Sequence, residues 1–243
     1  MKKPLLALLL LCTPLSLTAR EIVLTATEFP PYTTTTLPQD GVMVALARAA
    51  FARRGFELKV DFRPWARALN ETQSGRFAGV MALWYSAERA SKLYYSLPLF
   101  STTVGFYSRC DRPLEVAQLG ALRKLRIGTV RGYKNPDMFD RAGLQGLDAN
   151  DDLLNLRKLA VGRLDLALMD RELGRYLLQR ESELIDAELC WREPAVEVMP
   201  LHIGFSKRHP QGGMLLTEFN SGMTELRQSG EYARILRRYG VTP

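Results

Sequence analysis

Strands and helices alternate along the first third of the chain, and this order constrains the fold more than any other feature. Residues 21–26 (E-I-V-L-T-A) are apolar and β-branched, which is typical of a strand, and residues 42–54 carry an apolar helical face that ends at Gly55. The full series is strand, helix, strand, helix, strand, over residues 21–26, 42–54, 57–62, 65–74 and 77–83. Such an order predicts a largely parallel sheet with helices on both faces.

The same rhythm resumes after a further strand at residues 102–109. It comprises strands at 125–130, 164–170 and 197–206, and helices at 136–141, 150–162 and 171–179. The last helices are expected at 212–222 and 224–239, with a break at Ser229-Gly230. Two such blocks, each too short for a full core, predict two lobes, with the terminal helices returning to the first. The chain then crosses between the lobes twice, near 101–105 and near 200–204. A cleft between hinged lobes is where small ligands bind.

The first nineteen residues predict export. Lys2 and Lys3 precede a short apolar run at 5–11, and Leu17-Thr18-Ala19 supplies small residues at a cleavage point. The apolar run is too short to span a bilayer. We therefore expect a cleaved signal peptide at 1–19 and a mature protein that begins near Arg20 and is located in the periplasm, without stable membrane insertion.

The charge balance does not point to nucleic acid. The formal net charge is +7, from 33 basic and 26 acidic residues, and two of the positive charges lie in the predicted signal peptide. The basic residues are scattered along the chain rather than clustered, and an exported protein rarely meets nucleic acid. We therefore interpret the positive net charge as that of a solvated, mildly basic surface.

Two cysteines remain in the predicted mature chain, Cys110 and Cys190. In an oxidising compartment they can form a disulfide; alternatively, each is a separately buried free thiol. The sequence has no CxxC motif and no Cys/His cluster, so we predict neither a metal site nor a cofactor.

Arg89 is the first candidate for a ligand contact. It follows the apolar run at 77–83, with Ser86 as a helix N-cap and Glu88 in the first turn. Open α/β sheets bind ligands beyond the ends of their strands, and a guanidinium there can hold a carboxylate through two parallel hydrogen bonds. A solvated surface arginine is the alternative.

A second candidate is the corner F-P-P-Y, where two prolines fix the backbone between Phe29 and Tyr32. It could equally be a simple loop that ends a strand. A third candidate, Asp170, ends the apolar strand L-D-L-A-L-M-D and precedes the helix at 171–179, for which it could serve as the N-cap.

Taken in order, five pieces of the chain resemble the family-3 periplasmic solute-binding proteins, the amino-acid receptors of ABC importers. The pieces are F-P-P-Y, then G-R-F-A-G-V-M…S-A-E-R…Y-S-L-P, L-R-I-G-T-V-R-G-Y, G-R-L-D-L-A-L-M-D and H-I-G-F-S-K…L-R-Q-S-G-E-Y-A-R-I-L-R-R-Y-G. The resemblance implies a two-lobed α/β fold of the type II periplasmic-binding-protein kind. Each lobe has a mixed, mostly parallel sheet flanked by helices, and two strands form the hinge. Lobe 1 is expected at 20–102 plus 203–243, and lobe 2 at 103–202.

The resemblance also assigns roles to residues. Arg89 matches the family's arginine for the ligand α-carboxylate, and Asp170 matches the acid that receives the α-ammonium. Phe29 and Tyr32 match aromatic positions that wall the ligand side chain, and Trp65 falls where the family has an apolar wall residue. A fixed cation and a fixed anion suit a desolvated zwitterion, because an unpaired buried charge is costly.

The loop at 131–133 and the first lobe depart from the family pattern. The loop's amides, at Gly132 and Tyr133, are expected to hold the carboxylate, but the family usually has Ser or Thr where Tyr133 stands. A polar family position is here Trp84, and two positions that are often acidic are Met43 and Ala45. These departures predict a bulkier pocket lined by aromatic side chains.

The resemblance implies a non-catalytic, monomeric receptor that binds an amino acid or a similar small carboxylate and delivers it to an ABC permease by hinge closure. One alternative is a periplasmic enzyme similar to cyclohexadienyl dehydratase, with Glu28, Glu88 and Asp170 as candidate acids. Another is a sensory module that reports the ligand to a membrane partner.

Overall fold

The computed structural model describes residues 19–112, 114–185 and 187–241, so residues 1–18 of the predicted signal peptide lie outside the described part. The strands are β1 (Arg20–Ala26), β2 (Phe56–Phe62), β3 (Gly79–Trp84), β4 (Leu93–Tyr95), β5 (Phe100–Arg109), β6 (Ile127–Val130), β7 (Gly146–Ala149), β8 (Leu166–Asp170) and β9 (Leu189–Ser206). The α-helices are α1 (Val42–Ala52), α2 (Trp65–Gln73), α3 (Ala87–Ala90), α4 (Asp137–Arg141), α5 (Asp152–Ala160), α6 (Arg171–Arg180), α7 (Gly212–Gln228) and α8 (Glu231–Arg238). Short 3-10 turns lie at Pro38–Asp40, Leu119–Lys124 and Ser182–Leu184. None of the helices described is long and apolar enough to cross a membrane.

The strands form one mixed sheet in the order β2-β1-β3-β9-β5-β8-β6-β7, with β4 added beside β9. At one end β2, β1 and β3 are parallel, and at the other end β8, β6 and β7 are parallel. The long antiparallel pair β5 and β9 lies between the two groups and joins them. The predicted fold class, two parallel αβ units connected by two strands, is confirmed.

Strand β9 is longer than the sequence indicates, since it begins at Leu189 rather than at residue 197. Two prolines and three charged residues break up its apolar pattern: Pro194, Pro200, Arg192, Glu193 and Glu197. The strand is held extended by its ladder with β5, which runs from Phe100 opposite Leu201 to Arg109 opposite Leu189, with one irregularity. A Cys110–Cys190 disulfide fastens the far end of this pair, with Cα atoms 5.1 Å apart.

The C-terminal helices pack back onto α1, as expected. The predicted break at Ser229-Gly230 is confirmed, since α7 ends at Gln228 and α8 begins at Glu231, but the predicted helix end at Gly222 is wrong. Helix α7 continues through Gly222, whose missing side chain lets the helix approach the carbonyl of Ala50. Arg54, just after the end of α1, stabilises the same contact by pairing with Glu218 at 2.8 Å and Glu225 at 3.0 Å. A glycine in this helix therefore marks close packing and not a helix end.

Candidate functional site

The guanidinium of Arg89 is buried where β3 leads into α3. Ser86 caps this short helix by accepting a hydrogen bond from the Arg89 amide, as its sequence position predicts. The Arg89 side chain donates to the carbonyl of Gly132 at 2.7 Å and to that of Trp84 at 3.5 Å, and the residue is only 8 % exposed. No carboxylate of the described chain lies within 4 Å of it, and burial lowers its pKa. Arg89 is therefore a desolvated cation without an anionic partner.

A β-bulge sets the position of this end of β3. Ala82 has φ +58°, a left-handed conformation that a side chain rarely adopts, and the register with β9 shifts between Val80 and Leu83. Bulges re-aim the side chains that follow them. Here the bulge precedes Trp84, whose indole N–H donates to Thr102 at 2.9 Å. The sequence A-L-W shows no sign of this irregularity.

The carbonyl of Gly132, in the loop after β6, is the shared acceptor of the site. It receives the Arg89 hydrogen bond and a second one from the indole N–H of Trp65 at 2.8 Å. Two of the loop amides are used elsewhere, since Arg131 donates to the carbonyl of Ala149 and Tyr133 to that of Val130. The structure thus directs a carbonyl of this loop toward Arg89, where the sequence led us to expect amides that face a carboxylate.

The ring of Tyr133 sits inside a box of three aromatic side chains. It meets Phe29, Trp65 and Trp84 edge-on, with ring centroids 6.2, 5.7 and 5.8 Å apart. Edge-to-face contacts at this spacing each contribute about 0.5–1.5 kcal/mol beyond burial. Because Tyr133 fills the box, the space left beside Arg89 is only about 10 Å³. Four of the predicted pocket residues are therefore close together in the structure, and the ring of Tyr133 lies at their centre.

Tyr32 and Asp170 lie next to this box. The Tyr32 hydroxyl donates to Oδ1 of Asp170 at 2.9 Å, and the same oxygen caps α6 by accepting from the Leu173 amide at 2.9 Å. The helix-cap interpretation of Asp170 is therefore realised. Its other oxygen, Oδ2, is buried without a hydrogen-bond partner. Burial raises the pKa of Asp170 to about 7.

A larger cavity opens on the other side of Trp65 and Tyr133. We call it the outer cavity; it measures about 450 Å³ and is lined by Thr27, Glu28, Pro30, Thr34, Thr36, Trp65, Tyr133, Asn150, Asp151, Asp152, Leu153, Leu173, Tyr176, Leu177, Arg180 and Glu181. Thr36 and Tyr176 hydrogen-bond to each other at 3.0 Å at its edge. Cavities that bind small molecules typically measure about 300–1,000 Å³.

Asp152, in the outer cavity, is the residue that sequence reasoning missed. It is 5 % exposed, its Oδ1 has no hydrogen-bond partner, and burial raises its pKa to about 7. Its neighbour Asp151 is exposed and caps α5 by accepting from the Leu154 amide at 2.7 Å. Two adjacent acids at a helix start look alike in a sequence, so no local signal identifies the buried one.

The model of the bacterial extracellular solute-binding proteins, family 3, matches residues 22–242. The chain belongs to this family. A comparison with curated protein sequences finds no match.

Solved structures place this family-3 protein among binding and sensor domains of the same fold. A histidine kinase sensor domain with similarity to periplasmic binding proteins superposes with a TM-score of 0.79 at 22% identity, covering 93% of this chain and 99% of that one. EhuB in complex with hydroxyectoine superposes with a TM-score of 0.77 at 21% identity, covering 91% of this chain and 89% of that one. The arginine-, lysine-, histidine-binding protein ArtJ from Geobacillus stearothermophilus superposes with a TM-score of 0.76 at 16% identity, covering 92% of this chain and 97% of that one. At such identities these likenesses show the fold alone.

The other candidate acids of this family-3 protein are exposed. Glu28 accepts from the amide and hydroxyl of Thr35, at 3.1 and 2.9 Å, and Glu88 lies on the surface of α3. Within the described residues no group of three or more His, Cys, Asp or Glu side chains is arranged to hold a metal ion.

Proposed function

We propose that this protein is a periplasmic receptor for an amino acid or a similar small carboxylate, with Arg89 as the carboxylate contact. The observation that carries the proposal is the Arg89 guanidinium, which is buried, lacks an anionic partner and donates to a backbone carbonyl. A carboxylate would replace this neutral acceptor by a charged one, and charge-assisted hydrogen bonds are about twice as strong as neutral ones.

Asp170 supplies the opposite charge for the ligand ammonium. Its Oδ2 atom is buried and has no hydrogen-bond partner, so a cation placed there would satisfy an atom that is costly to leave unpaired. The aromatic side chains of Phe29, Tyr32, Trp65 and Trp84 supply the apolar walls. Together these groups match a zwitterion.

Ligand binding requires the Tyr133 loop to move. A carboxylate at Arg89 competes with the Gly132 carbonyl, and a ligand side chain in the aromatic box competes with the Tyr133 ring. The movement we propose is a rotation of lobe 2 (103–202) against lobe 1 (20–102 plus 203–243) about β5 and β9. A ligand shifts this equilibrium only by the difference in its affinity for the two arrangements.

The proposed partner is an ABC permease that accepts the ligand, with the receptor acting as an exported, soluble monomer. ArtJ is described as an arginine-, lysine-, histidine-binding protein and EhuB was solved in complex with hydroxyectoine, whereas the sensor domain belongs to a histidine kinase. A sensory role is therefore the second candidate. Reconstituted transport of a bound solute by a permease encoded beside this gene would support the importer role, and a neighbouring kinase gene with no permease would favour the sensor.

A thermal-shift screen of amino acids and small carboxylates, followed by calorimetry, tests the proposal. Ligand at 100 times its Kd adds about 2.7 kcal/mol of stability. Arg89→Lys and Arg89→Ala are expected to lose at least tenfold in affinity. Arg67→Ala is the matched control, since Arg67 is 59% exposed and its ion pair is with Glu71, on the surface of α2. Full affinity in both Arg89 variants would exclude Arg89 as the carboxylate contact.

One observation also favours a dehydratase as a further candidate. Asp170 and Asp152 are buried carboxyl groups whose pKa values are raised to about 7, which suits a general acid at neutral pH. Incubation of the purified protein with prephenate and arogenate decides this point. Turnover that is lost in Asp170→Asn would establish the enzyme, and the absence of turnover with tight ligand binding would establish the receptor.

A further inference from the structure

The outer cavity contains a buried carboxylate oxygen that no group in the described part of the chain satisfies. Oδ1 of Asp152 has no hydrogen-bond partner, although the residue is 95% shielded from solvent and lines a cavity of about 450 Å³. An unpaired buried acceptor typically costs about 1–3 kcal/mol, and more when it is charged. The position calls for a donor, and a cationic donor satisfies both the hydrogen bond and the charge.

The surroundings of Asp152 are acidic, in a chain whose net charge is +7. The outer cavity is also lined by Glu28, Asp151 and Glu181. Within the described part of the chain, none of these carboxylates lies within 4 Å of a lysine, arginine or histidine nitrogen. The lining cation, Arg180, is directed over the ring of Tyr176, with its central carbon 4.7 Å from the ring centroid. The cavity therefore attracts positive charge.

The rest of the lining is apolar and joins the outer cavity to the Arg89 site. Leu173, Leu177 and Pro30 provide aliphatic surface, and Trp65 and Tyr133 line both the outer cavity and the small space beside Arg89. One extended ligand can therefore lie along these shared walls, with its two ends in different cavities, once Tyr133 has moved.

We propose that the outer cavity is a subsite for the cationic end of the ligand, a primary amine or a guanidinium on an aliphatic stem, with Asp152 as its charge partner. This inference rests on the proposed receptor function and narrows its ligand class. Arg89 carries one positive charge, and Asp170 and Asp152 carry one negative charge each when ionised. The complementary ligand has one carboxylate and two cationic groups, as a basic amino acid does.

Calorimetry with two matched pairs of probes tests the subsite. L-arginine and L-citrulline have nearly the same shape, and so have L-lysine and L-norleucine, but only the first of each pair carries a side-chain cation. We expect wild-type protein to bind each cationic probe at least about tenfold more tightly than its neutral partner. Asp152→Asn is expected to remove most of this ratio. Asp111→Asn, at an exposed acid that pairs with Arg109 and does not line the outer cavity, is expected to keep it.

Each outcome separates the subsite from the receptor function. Equal binding of arginine and citrulline by wild type overturns the subsite and leaves the receptor proposal standing. Binding of neutral or acidic amino acids alone has the same consequence. An unchanged ratio in a folded Asp152→Asn variant also overturns it. Absence of binding by every amino acid overturns the subsite, and absence of binding by every amino acid and every small carboxylate overturns both. Loss of all binding in Arg89→Lys, together with a preserved cation preference in wild type, supports both.

Discussion

The Tyr32 hydroxyl donates to Oδ1 of Asp170 across 2.9 Å, although the two residues are 138 positions apart. This bond connects the aromatic corner after β1 with the end of β8, so it ties together the two parallel ends of the sheet. It also fixes the carboxyl group so that Oδ1 is used and Oδ2 is left for another donor.

Tyr32→Phe removes this bond while keeping the ring. Asp170 would then hold its proton more firmly and keep only the Leu173 amide as a donor. We expect a loss of about 1–2 kcal/mol in the free energy of unfolding, measured by urea denaturation. Tyr94→Phe is the control, because Tyr94 is 40% exposed, and it should change stability by less than about 0.5 kcal/mol. Equal stability of both variants would show that the bond contributes nothing.

Gly41 is expected to be essential for the corner that carries Tyr32. Its φ of +97° and ψ of +168° lie in a region that only glycine adopts readily, and a Cβ there would be 2.5 Å from the Tyr32 carbonyl oxygen. Gly41→Ala should therefore destabilise the protein by at least about 2 kcal/mol more than Gly55→Ala. Gly55 has φ +75° but no atom within 4 Å of its would-be Cβ. Similar melting temperatures for the two variants would contradict this prediction.

The stability of the ligand-free protein should depend on the ionisation of Asp152. Burial raises the folded pKa to about 7, while an unfolded Asp titrates near 3.9. The folded state therefore binds the proton more tightly than the unfolded state does. The stability that Asp152 gains from this proton is fully present below about pH 4. It is lost as the pH rises toward 7, at up to about 1.4 kcal/mol per pH unit. Tyr133, Asp151 and Asp170 also act on this group.

Asp152→Asn should remove this part of the pH dependence. Wild type and variant are expected to be similar near pH 4, and the variant is expected to be the more stable at pH 8, in urea denaturation series from pH 4 to 8. Glu57→Gln, at an exposed position of β2 that is not among the groups acting on Asp152, should follow the wild-type curve. Parallel curves for wild type and Asp152→Asn would show that Asp152 is ionised in the folded state throughout.

Reduction of the Cys110–Cys190 disulfide should destabilise the protein. The bond closes a loop with a sequence separation of 80, and such cross-links contribute on the order of 3 kcal/mol. Intact mass measured without reductant should be two hydrogens below the dithiol value for the mature chain. Dithiothreitol should lower the melting temperature of wild type and leave a Cys110→Ala, Cys190→Ala double variant unaffected. Alkylation of both cysteines without reductant would refute the bond.

The sequence by itself determined the fold class, the local helix caps at Ser86 and Asp170, and the order of most strands and helices, although the short strands β4 and β7 were missed. These features depend on the spacing of apolar residues and on contacts within four residues, so they can be read from a short window. It also placed Arg89, Trp65, Trp84 and Tyr133 among the pocket residues through the family resemblance.

Only the tertiary structure decided how those residues are used. The direction of the Gly132 carbonyl, the Tyr133 ring inside the aromatic box and the unpaired oxygen of Asp152 all depend on segments that are far apart in the chain. Asp151 and Asp152 are adjacent and chemically identical, yet one is an exposed cap and the other a buried acid. Burial and partnership are properties of the packed molecule, because they are set by which surfaces meet when β5 and β9 bring the two ends of the sheet together.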